Sequence, residues 1–201
     1  MTSPVVVNRN TVSSTPGGSP TGSTHTADVG VRRATVDDAE AIERIRVETW
    51  RATYRGLLPD GLIDQLQPNV ERRRERLRSP APSELNFVTE EGARVVGYAF
   101  AGPERSRDRE YPGEVYAIYV LPAFQGKGHG RALIRECARE LADRGITAIL
   151  IWVLRENMIG RGFYERLGGT PVREKPLEEF PGAEEHVEIA YGWKDTRPLL
   201  T

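Results

Sequence analysis

Three glycines alternate with charged residues in a short stretch between a strand-like run and a helix-like run. The stretch is Gln125–Arg131, and it follows the β-branched and aromatic run Glu114–Leu121. Glycine lets the backbone approach a ligand closely, and the N-terminus of a helix adds partial positive charge. The side chains of Lys127, His129 and Arg131 add cationic character. These residue types in this order predict a pyrophosphate-binding turn.

Three phosphate-binding patterns can be compared with this turn. A P-loop has Lys and then Ser or Thr after its last glycine, but His129 follows Gly128 here. A dinucleotide-binding turn has the spacing G-x-G-x-x-G directly after its strand. The glycines here are spaced G-x-G-x-G, and four residues separate them from the strand, which weakens that interpretation. The third pattern, Q/R-x-x-G-x-G/A, is filled by Gln125, Gly128 and Gly130.

A second patterned segment follows the short apolar run Ala148–Leu154. Its spacing is N-x-x-G-x-x-F-Y-x-x-x-G, and the residues that fill it are Asn157, Gly160, Phe163, Tyr164 and Gly168.

Together the two segments resemble the GNAT N-acetyltransferase superfamily, with its acetyl-coenzyme A motif and its N-x-x-A-x-x-F-Y-x-x-x-G signature. Gly160 stands where the family has Ala, and Gly169 stands where an aromatic residue usually follows. Glycine at position 160 lowers helix stability by about 1 kcal/mol relative to Ala, which questions the rigidity of this helix. The resemblance covers roughly Val29 to Trp193, most of the chain.

The resemblance implies a transferase that moves an acetyl group from acetyl-coenzyme A to a primary amine by direct attack in a ternary complex. It places the pantetheine arm beside the Glu114–Leu121 strand, near a splay in the sheet, with Asn157 bonded to the arm. It places Tyr164 near the sulfur as general acid; the alternative is an aromatic packed in the core. The implied cofactor-binding residues are Ile118, Tyr119, Val120, Gln125, Gly126, Lys127, Gly128, His129, Gly130, Arg131, Asn157 and Tyr164.

The general base and the acceptor pocket are less defined by the sequence. An alkyl amine with a pKa near ~10.4 must lose a proton before it attacks a thioester. Glu114 is the candidate base, equally interpretable as a charge at a strand end, with Asp108, Glu110 and Tyr111 as backups. The candidate acceptor-side residues are Trp50, Tyr54 and Tyr111, although Trp50 and Tyr54 could simply pack the first helix.

Helix-like and strand-like runs alternate along the chain, which predicts an α/β or α+β fold. The predicted strands are Val29–Arg33, Leu85–Glu90, Arg94–Ala101, Glu114–Leu121, Ala148–Leu154 and His186–Trp193. The predicted helices are one from the capping pair Thr35 and Asp38 to about Thr53, then Leu62–Leu66, Val70–Leu77, Leu133–Arg144, and one from Asn157 to Gly168. The resemblance implies a GNAT-type mixed, largely antiparallel sheet flanked by helices and splayed at the cofactor site.

Length and composition limit the organisation and the function. We expect a disordered N-terminal extension over 1–27, rich in Ser, Thr, Gly and Pro, a single domain over 28–196, and a tail over 197–201. The 28 basic and 29 acidic residues disfavour a nucleic-acid-binding protein. No apolar run is long enough for a membrane span, and the single cysteine, Cys137, favours a cytoplasmic location.

Other assignments remain as expectations. The three histidines match no metal-ligand spacing, so we expect no metal. The stretch Glu174–Glu185 is predicted to be a solvated loop, or more specifically an acidic rim that attracts a cationic amine. A homodimer is common in the resembling family. The alternative function is a catalytically idle acyl-coenzyme A-binding sensor.

Overall fold

A computed structural model describes residues 29–178, 180 and 182–201. The predicted disordered extension over 1–27 lies outside the described residues.

The described elements alternate as the sequence predicts. The strands are β1 Val31–Arg33, β2 Leu85–Glu91, β3 Arg94–Pro103, β4 Gly113–Val120, β5 Ile149–Leu154, β6 Thr170–Pro176 and β7 Val187–Trp193. The helices are α1 Ala39–Tyr54, α2 Asp60–Asp64, α3 Val70–Arg78, α4 His129–Asp143 and α5 Met158–Arg166. Short 3-10 helices cover Val36–Asp38, Pro122–Phe124 and Arg197–Leu199.

The seven strands form one sheet in the order β1-β2-β3-β4-β5-β7-β6. Neighbouring strands are antiparallel except for β4 and β5, which run parallel. The mixed, largely antiparallel sheet flanked by helices is therefore confirmed. Helix α4 packs on one face, where apolar residues of β2 to β5 and β7 form a buried cluster with it. Helices α1 and α3 lie on the other face, beside a second buried cluster.

The central strands separate soon after they meet. Strands β4 and β5 pair only at Gly113 with Ile149 and at Glu114 with Leu150. Both strands continue beyond these pairs, to Val120 and Leu154 respectively. On its other side, β4 carries an extra residue relative to β3, because the register shifts between Phe100 and Ala101. The inserted residue bends the strand and increases its twist. The gap between β4 and β5 is the predicted splay in the sheet.

Two local predictions are refined by the structure. Asp38 accepts a hydrogen bond from the backbone N–H of Thr35 at 2.7 Å, which matches the predicted helix start. Helix α4 begins at His129, earlier than the predicted Leu133, because Gly128 provides a left-handed N-cap (φ 94°).

Strand β6 is absent from the predicted strands. Glu174–Pro176 belong to this strand rather than to a loop, so the predicted loop is confined to the residues that follow. The strand lies at the sheet edge and contains two prolines, Pro171 and Pro176, together with a charged Arg-Glu-Lys run. Edge strands tolerate proline and charge, so a strand of this kind carries little apolar alternation.

The segment after the last strand also packs against the core. Leu199 is 3% exposed and belongs to the same buried cluster as Trp193. Residues 197–201 therefore include a packed 3-10 turn rather than only an exposed end.

Candidate active site

The glycine-rich turn connects β4 to α4 as a strand, a short 3-10 helix, and then a helix N-terminus. Gly126 and Gly128 have φ angles of 74° and 94°, in the left-handed region where a Cβ atom is disfavoured. The first N–H groups of an α-helix have no partner within the helix. In α4 these groups follow directly after Gly128. The turn therefore has backbone donors and a partial positive charge that could hold an anion, and its binding of pyrophosphate stays a prediction.

The side chains of the turn are held by neighbouring groups. Gln125 donates from Nε2 to the carbonyl oxygen of Val120 at 2.7 Å, which fixes the turn to the end of β4. Its Oε1 is buried without a hydrogen-bond partner among the described residues. Arg131 is exposed and donates to the carbonyl oxygen of Thr201 at 3.2 Å.

Glu91, at the end of β2, contacts two side chains of the turn. Lys127 donates to its carboxylate at 2.8 Å, and His129 Nε2 lies 3.1 Å from it. The hydrogen bond from Lys127 and then that from His129 hold the pKa of Glu91 below its usual value. The His129 ring is 3% exposed and its Nδ1 lies 2.9 Å from Thr89 Oγ1. In this arrangement His129 offers the turn its backbone N–H, while its ring faces β2.

Tyr164 of α5 has a fully buried hydroxyl group. The residue is 0% exposed, and its Oη finds no hydrogen-bond partner among the described residues. Its ring packs between Tyr191 and Trp193, with centroids 5.8 and 6.2 Å away. Burial raises the pKa of Tyr164 well above its usual value, and the nearby Tyr119 adds to the rise. The phenol therefore keeps its proton at neutral pH and has it available for a ligand.

Asn157 occupies the N-cap of α5. It is 2% exposed, and its Oδ1 accepts a hydrogen bond from the N–H of Gly160 at 2.9 Å. A Cβ atom on residue 160 would lie 2.9 Å from Asn157 Nδ2 and 3.0 Å from Val153 Cγ2. Gly160 therefore has a packing reason in this chain, where the family signature has Ala.

Gly169 has a similar explanation. A Cβ atom there would lie 2.6 Å from the indole of Trp193, so that ring occupies the space beside residue 169. The indole Nε1 also donates to the carbonyl oxygen of Leu167 at 2.8 Å, which anchors the ring at the end of α5. The Trp193 ring of β7 thus occupies the space beside position 169, the position at which the family signature has an aromatic residue.

Glu114 lies in the two-residue stretch where β4 and β5 still pair. It is 1% exposed and accepts hydrogen bonds from the Arg105 guanidinium, one of them from Nε at 2.9 Å. The same guanidinium lies 4.8 Å from the centroid of the Tyr116 ring. The predicted base is therefore a buried carboxylate with a cationic partner.

The predicted acceptor-side aromatics occupy two places. Trp50 and Tyr54 lie on α1 against the second buried cluster, and Trp50 Nε1 donates to the Tyr119 hydroxyl at 3.0 Å. Tyr111 lies in the loop just before β4, and its ring fills the space that a side chain on Gly192 would take. The structure brings Trp50 and Tyr54 together, with ring centroids 4.9 Å apart, and it places Tyr111 beside Gly192.

Tyr54 interacts with polar groups from several elements in the interior of the protein. Burial raises the pKa of Tyr54 well above its usual value, and its electrostatic interactions with Tyr119, Tyr164 and Glu188 raise it further. A side-chain hydrogen bond with Asn157 opposes the rise. These groups therefore share one buried region, although they come from α1, β4, α5, β7 and the residue that caps α5.

Glu188 is a residue of this region that the sequence analysis did not identify. It lies in β7 and is 2% exposed. In the sequence it is one acidic residue among several near the last strand, so no spacing distinguishes it from a surface charge. Only the strand register places it beside the gap.

These features fit the acyl donor that the resemblance implies. The backbone of β4 beyond Glu114 has no ladder partner in β5, so its peptide groups on that side are open to a ligand. The Tyr164 hydroxyl, which has no hydrogen-bond partner among the described residues, and the N-terminus of α4 each offer donors that a ligand could use. Backbone of Ile118, Tyr119 and Val120 would bind the arm, and residues 125–131 would bind the pyrophosphate.

Within residues 29–178, 180 and 182–201, no group of three or more His, Cys, Asp or Glu side chains is placed to hold a metal ion. In that same part of the chain, no helix has the length and apolar character required to cross a membrane.

Comparison with known proteins gives consistent matches. Residues 42–169 match the profile of the Acetyltransferase (GNAT) family. An uncharacterized N-acetyltransferase of Bacillus subtilis (strain 168), YuaI, is 32% identical over 86% of this chain and 97% of its own length. The mycothiol acetyltransferase of Rhodococcus opacus (strain B4) is 34% identical over 61% of this chain, which spans only 36% of that protein.

Solved structures share the fold. A putative acetyltransferase from Salmonella typhimurium, yncA, with its cofactor acetyl-CoA, has a TM-score of 0.65 at 24% identity and covers 83% of this chain and 94% of its own. The PaiA N-acetyltransferase from Thermoplasma acidophilum, in complex with coenzyme A, has a TM-score of 0.63 at 19% identity and covers 82% and 97%. The family uses acetyl-coenzyme A as its acyl donor. The matching profile and the Bacillus relative together show that this chain belongs to the GNAT acetyltransferase family.

Proposed function

We propose that this protein transfers the acetyl group of acetyl-coenzyme A to a primary amine by direct attack in a ternary complex. The observation that carries the proposal is the buried Tyr164 hydroxyl, which has no hydrogen-bond partner among the described residues and lies near Tyr119 of β4. Beyond Glu114 this strand has no ladder partner in β5. A buried hydroxyl without a hydrogen bond costs about 1–3 kcal/mol, so a site that retains one has a use for it. When bound, acetyl-coenzyme A supplies the activated thioester.

The chain's own groups divide the work of binding. The N–H groups at the start of α4, with Lys127 and Arg131 nearby, hold the pyrophosphate. The free backbone edge of β4 near Ile118 holds the extended arm, and one N–H there faces the thioester carbonyl. A fixed N–H donor stabilises the negative charge that develops on that oxygen during attack. Asn157, which caps α5, holds the arm from the other side.

Glu114 accepts the proton that the acceptor ammonium must lose. Its carboxylate is buried beside the Arg105 guanidinium, so an ordered water relays the proton from the amine toward it. The hydrogen bonds from Arg105 fix the orientation of the carboxylate.

Tyr164 donates its proton toward the departing thiolate. Because burial raises the pKa of this phenol, the proton stays on the hydroxyl until negative charge forms at the sulfur. No other described group accepts a hydrogen bond from it, so the donor is free for the ligand.

The test is thiol release from acetyl-coenzyme A across a panel of primary amines, combined with a direct measurement of coenzyme A binding. We expect turnover with at least one amine. In Glu114→Gln we expect kcat/KM to fall by about 10²-fold or more, the usual scale for general base catalysis. The matched control is Glu71→Gln, which neutralises an exposed carboxylate of α3 and should retain activity.

Each other outcome has a defined meaning. Coenzyme A binding without turnover on the whole panel would favour the idle acyl-coenzyme A sensor. Equal activity in Glu114→Gln and wild type would exclude Glu114 as the base while leaving the reaction intact. Failure to bind any acyl-coenzyme A would refute the proposal.

A further inference from the structure

A cavity of about 460 Å³ lies between α1 and α3, and it has the size of a small-molecule pocket. Residues 65–69, which connect α2 to α3, also line it. Helices α1 and α3 lie on one face of the sheet, whereas α4, with the glycine-rich turn at its start, lies on the other. The cavity is therefore separate from that turn. Its charged lining residues are Glu43, Arg46, Arg72, Arg73 and Arg76.

Glu43 fixes the two most buried arginines of the cavity. Arg46 donates from Nε and Nη2 to the Glu43 carboxylate at 3.1 and 2.9 Å. Arg73 donates to it from the same two atoms at 3.0 and 2.8 Å. The side chains of Arg46 and Arg73 are only 17% and 10% exposed. Neither Nη1 atom donates to a described residue, so each guanidinium keeps donors for a ligand.

The two exposed arginines of the cavity lie one turn apart on α3. Arg76 donates to Glu84 at 2.9 Å, and its guanidinium lies 5.3 Å from the centroid of the Phe100 ring. The Arg72 guanidinium forms no ion pair and no hydrogen bond with any described residue, because only the backbone N–H of Arg72 is bonded, to the Asn69 side chain. Arg72 is thus a positive charge that is available to a ligand.

The wall of the cavity is strongly basic. Four arginines and one glutamate give it a net charge of +3, and the neighbouring Glu84 compensates one of these charges. Guanidinium groups match phosphate oxygens with pairs of hydrogen bonds, and a phosphate group offers three strong acceptor oxygens. One phosphate group can therefore accept hydrogen bonds from several arginines at once.

We propose that this cavity binds a small molecule that carries one or more phosphate groups, at a site separate from that of acetyl-coenzyme A. The phosphate accepts hydrogen bonds from Nη1 of Arg46 and Arg73, whose orientation Glu43 has already fixed. Arg72 supplies a charge that no described carboxylate balances. Because these residues belong to α1 and α3, the bound ligand connects the two helices. This inference does not rest on the proposed function.

The probe is inorganic pyrophosphate, titrated by calorimetry at low salt into the full chain saturated with coenzyme A. Under the proposed function, saturation fills the glycine-rich turn, so pyrophosphate bound there is not counted. We expect one saturable site, whose dissociation constant rises with salt because Arg72 and Arg76 are exposed. Arg72→Gln should raise that constant by about tenfold or more, the usual scale for the loss of a charged hydrogen bond.

Two further variants separate this site from general charge. Arg72→Lys keeps the positive charge and loses the paired donors, so we expect an intermediate loss of affinity. The matched control is Arg74→Gln, which removes the same charge from an exposed residue of the same helix, outside the cavity wall. Its dissociation constant should stay close to that of wild type. Succinate, which carries carboxylates in place of phosphates, should bind more weakly than pyrophosphate.

The outcomes are distinct. Saturable binding that weakens in Arg72→Gln but not in Arg74→Gln supports the inference, as does a rise in melting temperature with pyrophosphate that is smaller in Arg72→Gln. No saturable binding, equal binding by wild type and Arg72→Gln, or equal losses in Arg72→Gln and Arg74→Gln overturns it. Equal affinity for succinate overturns the assignment to phosphate. The variants are compared with and without coenzyme A, so the proposed reaction can fail while this inference holds.

Discussion

Replacing Tyr164 with Phe should make the ligand-free protein more stable and the enzyme slower. The hydroxyl is fully buried and has no hydrogen-bond partner among the described residues, so its removal leaves no other group unsatisfied. The desolvation cost of such a hydroxyl is about 1–3 kcal/mol. We therefore expect the free energy of unfolding to rise by about 1 kcal/mol. For a chain of this size that corresponds to an increase of about 2–4 °C in Tm.

Tyr191 provides a matched control for the same chemical change. Its ring packs against that of Tyr164, but its hydroxyl donates to Glu165 Oε1 at 2.6 Å and accepts from Arg161 Nε at 3.2 Å. Tyr191→Phe removes these hydrogen bonds to charged groups, so we expect a loss of about 1–2 kcal/mol. Two Tyr→Phe changes in neighbouring rings thus have opposite expected signs.

The assays are thermal unfolding without ligand and acetyl transfer with saturating donor. Tyr164→Phe should reduce kcat by about 10²-fold, the lower end of the range for general acid catalysis, while Tyr191→Phe retains kcat within a few-fold. Destabilisation of Tyr164→Phe by as much as Tyr191→Phe would mean that the Tyr164 hydroxyl has a partner in the native protein. A wild-type kcat in Tyr164→Phe would refute its role as acid.

Two further predictions concern positions away from the reacting atoms. Gly160→Ala should lower the free energy of unfolding by about 1 kcal/mol and weaken coenzyme A binding, because the added Cβ would press on the Asn157 side chain. A gain in stability equal to the difference in helix propensity between Ala and Gly, measured by thermal unfolding, would contradict this. Glu43→Gln should cost about 3 kcal/mol at pH 7 in urea unfolding, because it breaks the buried pairs with Arg46 and Arg73. Burial raises the pKa of Glu43, but hydrogen bonds from Arg46 and from a backbone N–H, together with the charge of Arg73, lower it overall. The free energies of unfolding of wild type and variant should therefore converge as pH falls below about 4.5. A constant difference between them down to acid pH would contradict this assignment.

Local patterns predicted most of the elements and the glycine-rich turn between β4 and α4. The β-branched run that became β4, the glycines before α4 and the apolar face of α4 are each encoded within a few consecutive residues. Glycine at positions with positive φ is a requirement of the local backbone, so it can be recognised without knowledge of the fold. The predicted start of α4 at Leu133 lies too far along the chain, because the first turn of the helix begins within the glycines themselves.

The remaining features depend on residues distant in sequence. Strand β6 is held by its ladder with β7, and its own residues carry prolines and charges instead of apolar alternation. Glu188 became identifiable only through its register with Leu154 and Lys175. The packing reason for Gly169 is a ring from Trp193, supplied by a different strand. The pairing between separate segments cannot be inferred from the residue spacing within any one of them.

The brief pairing of β4 with β5 has a consequence for how the protein unfolds. The sheet consists of two halves, β1 to β4 and β5 to β7, whose ladders meet at only two residue pairs. Helix α4 lies mainly against the first half, and α5 lies against β7 in the second. Each half is thus a natural cooperative unit for partial opening, with its own protection against amide hydrogen exchange. A donor molecule that bonds to β4 on one side and to the cap of α5 on the other would join the two units, so its binding should slow exchange across the whole sheet.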